Sequence, residues 1–482
     1  MASASKVLAS VFFCLLFSPA VYAEASRLDP HDAESPPDDE LRQPDTIKKV
    51  SAYVANTHEA EEQGFFAGSH LNLLERLYFR RLFNAEPGLR YQDKDSQGQP
   101  FNYTKSSAQL ATLGTTLSFT SGYTQGPLGM GVDASLMNGT TVYGNRSTTS
   151  LSADMANTDN EGEPNRNWSK LSVADVKFKI SETELKLGRQ VIDSPLLHSN
   201  YNRTFPASFY GATLASHEME GFVLKAGSVT RVIGRNSTNE EPLSMSYAQS
   251  IRVDRASYAG AEFTGSGGFA ATAHVNQLED VATQYLLEAK KRLDFDGGIH
   301  VTPELAYYSS HAQGKALAGK DTVDMAIVGL TTEWGVHSVL VKYQQVLGDS
   351  LFDYLNETNS IYFSNTLYSD YQGPHEKSLQ VMYKRNFADV GLPGLLLYSW
   401  AVAGWDIDGS DYKGGVYQGF MNGVTNGRHH EIGVSPTYVF QSGKLKDASI
   451  RVGYVVHRAT GGQLTGDANE LLLVGELPIK FF

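Results

Sequence analysis

The chain has 482 residues, with 40 Lys and Arg against 53 Asp and Glu and a formal net charge of −13 at pH 7, which argues against nucleic acid as the partner. A mean hydropathy of −0.29 excludes a bundle of membrane-spanning helices. The one cysteine, Cys14, excludes disulfide frameworks, zinc–cysteine sites and thiol catalysis, whereas 25 Tyr, 23 Phe and 45 Gly suit an all-β chain with many turns.

Residues 1–23 form a predicted export signal. Lys6 supplies a basic start, Val7–Phe17 an apolar stretch, and Val21-Tyr22-Ala23 a small-residue cleavage site. An anchoring helix needs about 20 apolar residues, and Pro19 ends this run early. A lipoprotein would carry a small residue before its cysteine, where Phe13 stands. Cleavage after Ala23 leaves an exported chain without cysteine. Residues 24–63 follow, acidic and proline-bearing around Ser35-Pro36-Pro37-Asp38-Asp39-Glu40. They have too little apolar surface for a core and read as a disordered arm.

From Gly64 the texture changes to alternation. Leu128, Met130, Val132, Ala134 and Leu136 alternate with Gly129, Gly131, Asp133 and Ser135. Ile450, Val452, Tyr454 and Val456 alternate with Arg451, Gly453, Val455 and His457. A period of two places one set on each face of a sheet. Tight turns such as Ser121–Pro127 and Ser181–Thr183 contrast with polar stretches at Gly139–Lys170, Gly348–Glu376 and Gly404–His430. Short turns at one end and long loops at the other are the asymmetry of outer-membrane barrels. The chain also closes on Phe481-Phe482. A closed barrel is the way to span a membrane with strands, because every backbone group is then paired. At about 10 residues per spanning strand, the length after Gly64 suits a transmembrane antiparallel β-barrel of about 16 to 18 strands.

On the non-apolar face, parity places Arg76, Arg80, Lys177, Lys179, Lys186, Lys384, Arg451 and Lys480. The acids read onto that face are Asp133, Asp175, Glu470 and Glu476, while Glu75 falls with the apolar set. Fixed cations in a water-filled lumen raise the local anion concentration.

Several segments, in order, carry a family resemblance. They are Leu117–Met137, Ser181–Gly188 with Ser194-Pro195-Leu196-Leu197, Arg203-Thr204-Phe205-Pro206, Arg235–Asn239, Gln277-Leu278-Glu279-Asp280, Val341–Asp349, Gly391–Gly394 and Gln441–Lys446. In these the chain resembles the OprD family of substrate-specific outer-membrane porins of Pseudomonas-like Gram-negative bacteria. The resemblance implies an 18-stranded barrel over 64–482, narrowed by an inward-folded loop at Ser194–Gly211. It implies passive uptake of small carboxylate-bearing nutrients along a basic ladder, without a cofactor or enzymatic step. Arg203 takes the place of the family's loop arginine and Arg76 of the first-strand rung. Arg451 and Arg458 take those near the last hairpin, and Arg235 lies in the family's Arg-Asn-Ser-Thr segment. Lys186 and Lys384 extend the basic set, and Asp280 takes an acidic position suited to a substrate's positive end. Implied partners are the solute, outer-membrane lipid and lipopolysaccharide, and the barrel-assembly machinery, with the barrel a monomer or weak homotrimer in the cell outer membrane.

Two departures bear on substrate. Gly453 and Leu472 stand where the family usually has arginines, leaving neutral oligosaccharides, as in chitoporins, as the alternative cargo. Other motifs carry little. Ser350 in Gly348-Asp349-Ser350-Leu351 imitates a hydrolase nucleophile but has no Asp-x-x-His downstream. Asp406–Asp411 has the wrong glycine position for an EF-hand loop. His429-His430 would point to opposite faces of a strand, which leaves no metal site in the reading.

Overall fold

The computed structural model describes residues 64–482 apart from 87–88, 95–99, 145–154, 160–161, 359–367, 422–423 and 461–464. The expected signal at 1–23 and arm at 24–63 lie outside the described residues. Among the described residues no helix is long and apolar enough to cross a membrane.

Alternating Val, Ile, Leu and aromatic residues build one antiparallel sheet of 21 strands, of which eighteen are long. The first six long strands are β1 (His70–Glu86), β2 (Ala108–Thr120), β3 (Gly129–Tyr143), β4 (Asn167–Ile180), β5 (Thr183–Gln190) and β6 (Ser208–Ser216). The next six are β7 (Phe222–Ile233), β8 (Ala256–Thr264), β9 (Phe269–Leu278), β10 (Ala282–Lys291), β11 (Ile299–Ala312) and β12 (Thr322–Trp334). The last six are β13 (His337–Leu347), β14 (Lys377–Asn386), β15 (Leu395–Ile407), β16 (Gly427–Val439), β17 (Ser449–Ala459) and β18 (Asp467–Lys480). Each pairs with the next, and β18 returns to β1 from Asn72↔Lys480 to Glu86↔Asp467. The sheet therefore has no free edge. The turns 181–182 and 335–336 lie at one end, and the connections from β3 to β4, β5 to β6, β7 to β8 and β13 to β14 start and finish at the other. Both ends of the described chain meet at the turn end, where the Leu71 N–H donates to the Phe482 carbonyl at 3.1 Å.

The two faces sort as period two requires. On β3, Leu136 is 52% exposed whereas Asp133, facing in, is 3% exposed. The outer face is an apolar band, with Tyr143, Tyr210, Tyr285 and Tyr307 toward the loop end and Phe222, Phe269, Trp334 and Phe481 toward the turn end. Paired aromatic girdles around an apolar band are the outer surface of a membrane barrel. Glu75 keeps its place on that outer face, as parity has it, and its carboxylate oxygens accept from the Thr115 hydroxyl at 2.9 Å.

Inside, the barrel is narrowed by loop 191–207, which leaves β5 and crosses the lumen before β6. The expected span Ser194–Gly211 is too long: from Ser208 the backbone pairs with β5 and β7 and is strand. The described part of loop 348–376 folds inward as well, with bridges Ser199↔Thr358 and Met245↔Leu355 to loops 191–207 and 234–255.

Candidate functional site

Loop 191–207 is seated by a gap in the wall. Gly114 on β2 has no side chain, and a Cβ there would lie 2.5 Å from Thr204 Cγ2 and 2.8 Å from the Phe205 ring. Beside it, Thr204 and Thr112 share a hydroxyl hydrogen bond at 2.5 Å. Across the lumen the Asn276 amide donates to the Leu196 carbonyl at 3.4 Å. Lys170 Nζ, buried on β4, donates to the carbonyls of Gly234 at 2.7 Å, Arg235 at 3.2 Å and Pro206 at 3.4 Å. Pro206 fixes its own backbone turn.

Beside that seat stand the arginines of the β17–β18–β1 wall, Arg76 being the cross-strand partner of Gly114. Arg76 is 2% exposed, its guanidinium 4.1 Å from the Tyr201 ring and 3.4 Å from Glu476 Oε1. Its Nε and Nη1 make no hydrogen bond, an unusual state for buried donors. Arg80, two inward positions along and beyond Tyr78, pairs with Glu470 at 2.5 Å. Arg451 faces in from β17; among the described residues no acid lies within ion-pair distance of it. Glu357, in loop 348–376, holds Arg235 Nε at 2.9 Å. Burial pushes the Glu357 carboxyl up, but Arg235 and Lys170 overcome that and hold it below the usual range. Arg203 sits on loop 191–207, where its Nη1 donates to the Asn202 carbonyl at 2.9 Å.

The remaining basic residues are distributed around the wall. Lys186 and Lys177 converge on Asp133 at 3.0 and 2.7 Å, and Glu184, 3.6 Å from Lys186, supplies the second acid that neutralises the cluster. Lys384 faces in from β14 with its ammonium 5.8 Å from the Tyr398 ring. Asp280 lies in the loop-end turn after β9, 2.6 Å from Lys315 Nζ, and its contact is with that lysine. Arg458 is a correction. It shares the outward parity of Val452, Tyr454 and Val456, and its Nη1 donates to the carbonyls of His457 and Ala468 and to Asn469 Oδ1. It is no rung of an inner ladder. The basic excess read from the sequence also shrinks, because inward Glu262, Glu304 and Glu431 sit on strands whose parity was not read, and Glu184 shares the parity of Lys186 but was left out of the acids; Glu304, for example, pairs with Lys342 at 2.7 Å.

Sequence reading missed two buried groupings. Asp353 accepts from the Tyr247, Ala248 and Tyr354 N–H groups at 3.0, 3.1 and 2.8 Å and from the Tyr417 hydroxyl at 3.1 Å. Burial pushes its carboxyl up to about 6 against the pull of those donors. Glu376, His429 and His457 form the second, in contact through their ring nitrogens. Inward parity of Glu431, His429 and His457 was the available signal. His430 does face outward, as adjacency on a strand demands.

Comparison with known proteins agrees with this architecture. Residues 63–481 match the family model described as outer membrane porin, OprD family. Porin D of Pseudomonas aeruginosa is 31% identical over 445 residues, covering 89% of this chain and 95% of that protein. The crystal structure of Pseudomonas aeruginosa OccD3 (OpdP) is 29% identical with a TM-score of 0.74, covering 87% of this chain and 93% of its own. That of Pseudomonas aeruginosa OpdK with vanillate is 23% identical at a TM-score of 0.74, covering 87% and 100%. These relatives are channels, not enzymes. The chain belongs to the OprD family of outer-membrane porins.

Proposed function

We propose that this porin passes small carboxylate-bearing solutes by diffusion, drawn past the constriction by Arg76, Arg80 and Arg451. The observation that carries this reading is the Arg76–Arg451 pair: both side chains have inward parity on the wall, Arg451 has no acid within ion-pair distance among the described residues, and Arg76, beside Tyr201, has a buried Nε that makes no hydrogen bond. A guanidinium stays charged and offers a fork that fits a carboxylate. Neighbouring rungs compete for the anion, so each holds it weakly, as conduction requires.

The wall also suits an apolar body on the solute. Gly453 and Leu472 are cross-strand partners, and Leu472 in turn lies beside Arg80. This apolar step next to a charged one fits an aromatic or aliphatic acid better than a multiply charged anion. Vanillate, the compound named with the OpdK structure, is of that class.

The test is single-channel recording in planar bilayers over benzoate, vanillate, a neutral disaccharide and chloride. Arg76→Ala and Arg451→Ala each reduce carboxylate flux by about fivefold, the loss of about 1 kcal/mol of anion stabilisation, and leave disaccharide flux unchanged. Equal carboxylate flux in wild type and both variants would remove the proposal.

A further inference from the structure

The C-terminal arm of loop 348–376 is fastened to the barrel wall through a chain of ionisable groups that the solute pathway does not use. Glu376 Oε1 is 2.7 Å from His429 Nε2, and His429 Nδ1 is 3.1 Å from His457 Nε2. His457 Nδ1 then lies 2.8 Å from the Gly466 carbonyl oxygen. All three side chains are almost fully buried. The second Glu376 oxygen accepts from the Gly373 N–H at 2.8 Å, so both are engaged.

These contacts fix the number of protons. The Gly466 carbonyl can only accept, so His457 Nδ1 carries hydrogen. The middle contact takes one donor, which His429 Nδ1 supplies to a bare His457 Nε2, His457 being neutral. The third proton then lies between His429 Nε2 and Glu376, whether as imidazolium and carboxylate or as imidazole and acid. Three contacts need three protons. With one fewer, two lone pairs face each other in a buried site, at the cost of an unmade hydrogen bond. With one more, two donors do.

We propose that this shared proton between Glu376 and His429 positions the arm 368–376, so that the pore loses its open conductance when the proton is withdrawn at alkaline pH. The inference rests on the porin reading. The charged and titratable neighbours do not supply a substitute proton. Glu431, from β16, already accepts from Trp400 Nε1 at 2.9 Å and the Ser369 N–H at 3.1 Å. Asp370, within the arm, takes the hydroxyls of Tyr247 and Tyr354 at 2.5 and 2.9 Å. Tyr371 stacks on His429 with ring centroids 4.0 Å apart, and Tyr368 lies 5.5 Å from His457. Asp467 on β18 is occupied by the Ala459 N–H at 2.8 Å, and His430 faces outward. The link to conduction is Tyr368, which packs against the apolar cluster that joins Tyr78 and Leu82 of the wall to Phe205 of the constriction loop. An arm released at Glu376 frees Tyr368 from that cluster to enter the lumen.

The experiment is single-channel conductance of the full-length protein in planar bilayers at fixed salt, from about pH 6 to about pH 9.5. Wild type loses conductance at least about twofold across that range through deprotonation of the chain. In Glu376→Gln the side-chain amide donates to His429 Nε2 by a hydrogen that does not titrate, and the profile becomes flat at the wild-type neutral value. His429→Gln removes the proton from the other side and flattens the profile as well, which covers failure of one variant to insert. A flat wild-type profile, or a wild-type transition retained in both variants, overturns the inference while leaving the porin reading intact. No conductance in any of the three proteins at any pH defeats both.

Discussion

Arg76 and Arg451 carry the functional argument because, among the described residues, no acid pairs with Arg451, and Arg76 stands at the long distance of 3.4 Å from Glu476 with no hydrogen bond at Nε, whereas Lys186, Lys177 and Lys342 lie 2.7 to 3.0 Å from acids on neighbouring strands. Strand parity made those two arginines legible as inward residues, and the same parity already set Arg458 among the outward ones. Family position alone had made it a rung. What parity could not show was pairing at long range: Glu357 is 122 residues from Arg235 in the chain, and irregular loops have no period to read. Glu357→Ala leaves Arg235 and buried Lys170 without their carboxylate, an outcome worth about 3 kcal/mol. Constriction mobility therefore rises in Glu357→Ala and not in Arg458→Ala, as protease nicking of loops 191–207 and 234–255 would measure. Asp353 gives a pH prediction of definite sign. Its carboxyl, up at about 6 in the folded loop, ordinarily titrates near 4. Its contribution to docking is full below about pH 4 and is lost as pH rises through about 6. Protease sensitivity of loop 348–376 rises from pH 4 to 7 in wild type and loses that slope in Asp353→Asn; a slope unchanged in the variant refutes the assignment.

At the scale of elements, the strands were readable because one face of each is apolar along its length, and a one-residue slip would turn that face inward. Glu75 illustrates the limit of pattern: an acid among leucines looked like a register slip, but Thr115 on the adjacent strand supplies its donor. The end of the constriction loop was misread for the opposite reason. Residues 208–211 contain Ser, Phe, Tyr and Gly, which read equally as loop until their cross-strand partners are known. The seat of that loop is Gly114, where closeness to Thr204 and Phe205 leaves no room for a side chain. Gly114→Val therefore pushes residues 203–206 off the wall and changes single-channel conductance without unfolding the barrel; conductance equal to wild type would show that the loop does not set the narrowest passage. At Gly453 a new Cβ would lie 3.3 Å from Leu472 Cβ, a contact small shifts relieve. Gly453→Arg places a third guanidinium beside Arg451 and Arg80, and anion preference rises.

For the whole molecule, composition and site point in opposite directions. A net charge of −13 belongs to the chain, whereas permeating ions meet only the lumen wall, where walls of low dielectric focus the local field. Closure of β18 on β1 makes that wall continuous, and the apolar band with its aromatic girdles holds it in lipid. The closed barrel and its outward face were legible from alternation, turn spacing and the terminal aromatic pair. The occupied interior was not, because three loops from distant parts of the chain assemble there. The most direct measurement is the reversal potential of the full-length porin in a planar bilayer under a salt gradient of potassium benzoate, for wild type and the Arg76→Ala/Arg451→Ala double variant. The account predicts anion selectivity in wild type that is lost in the double variant. A cation-selective wild type, or a reversal potential the two substitutions leave unmoved, would contradict it.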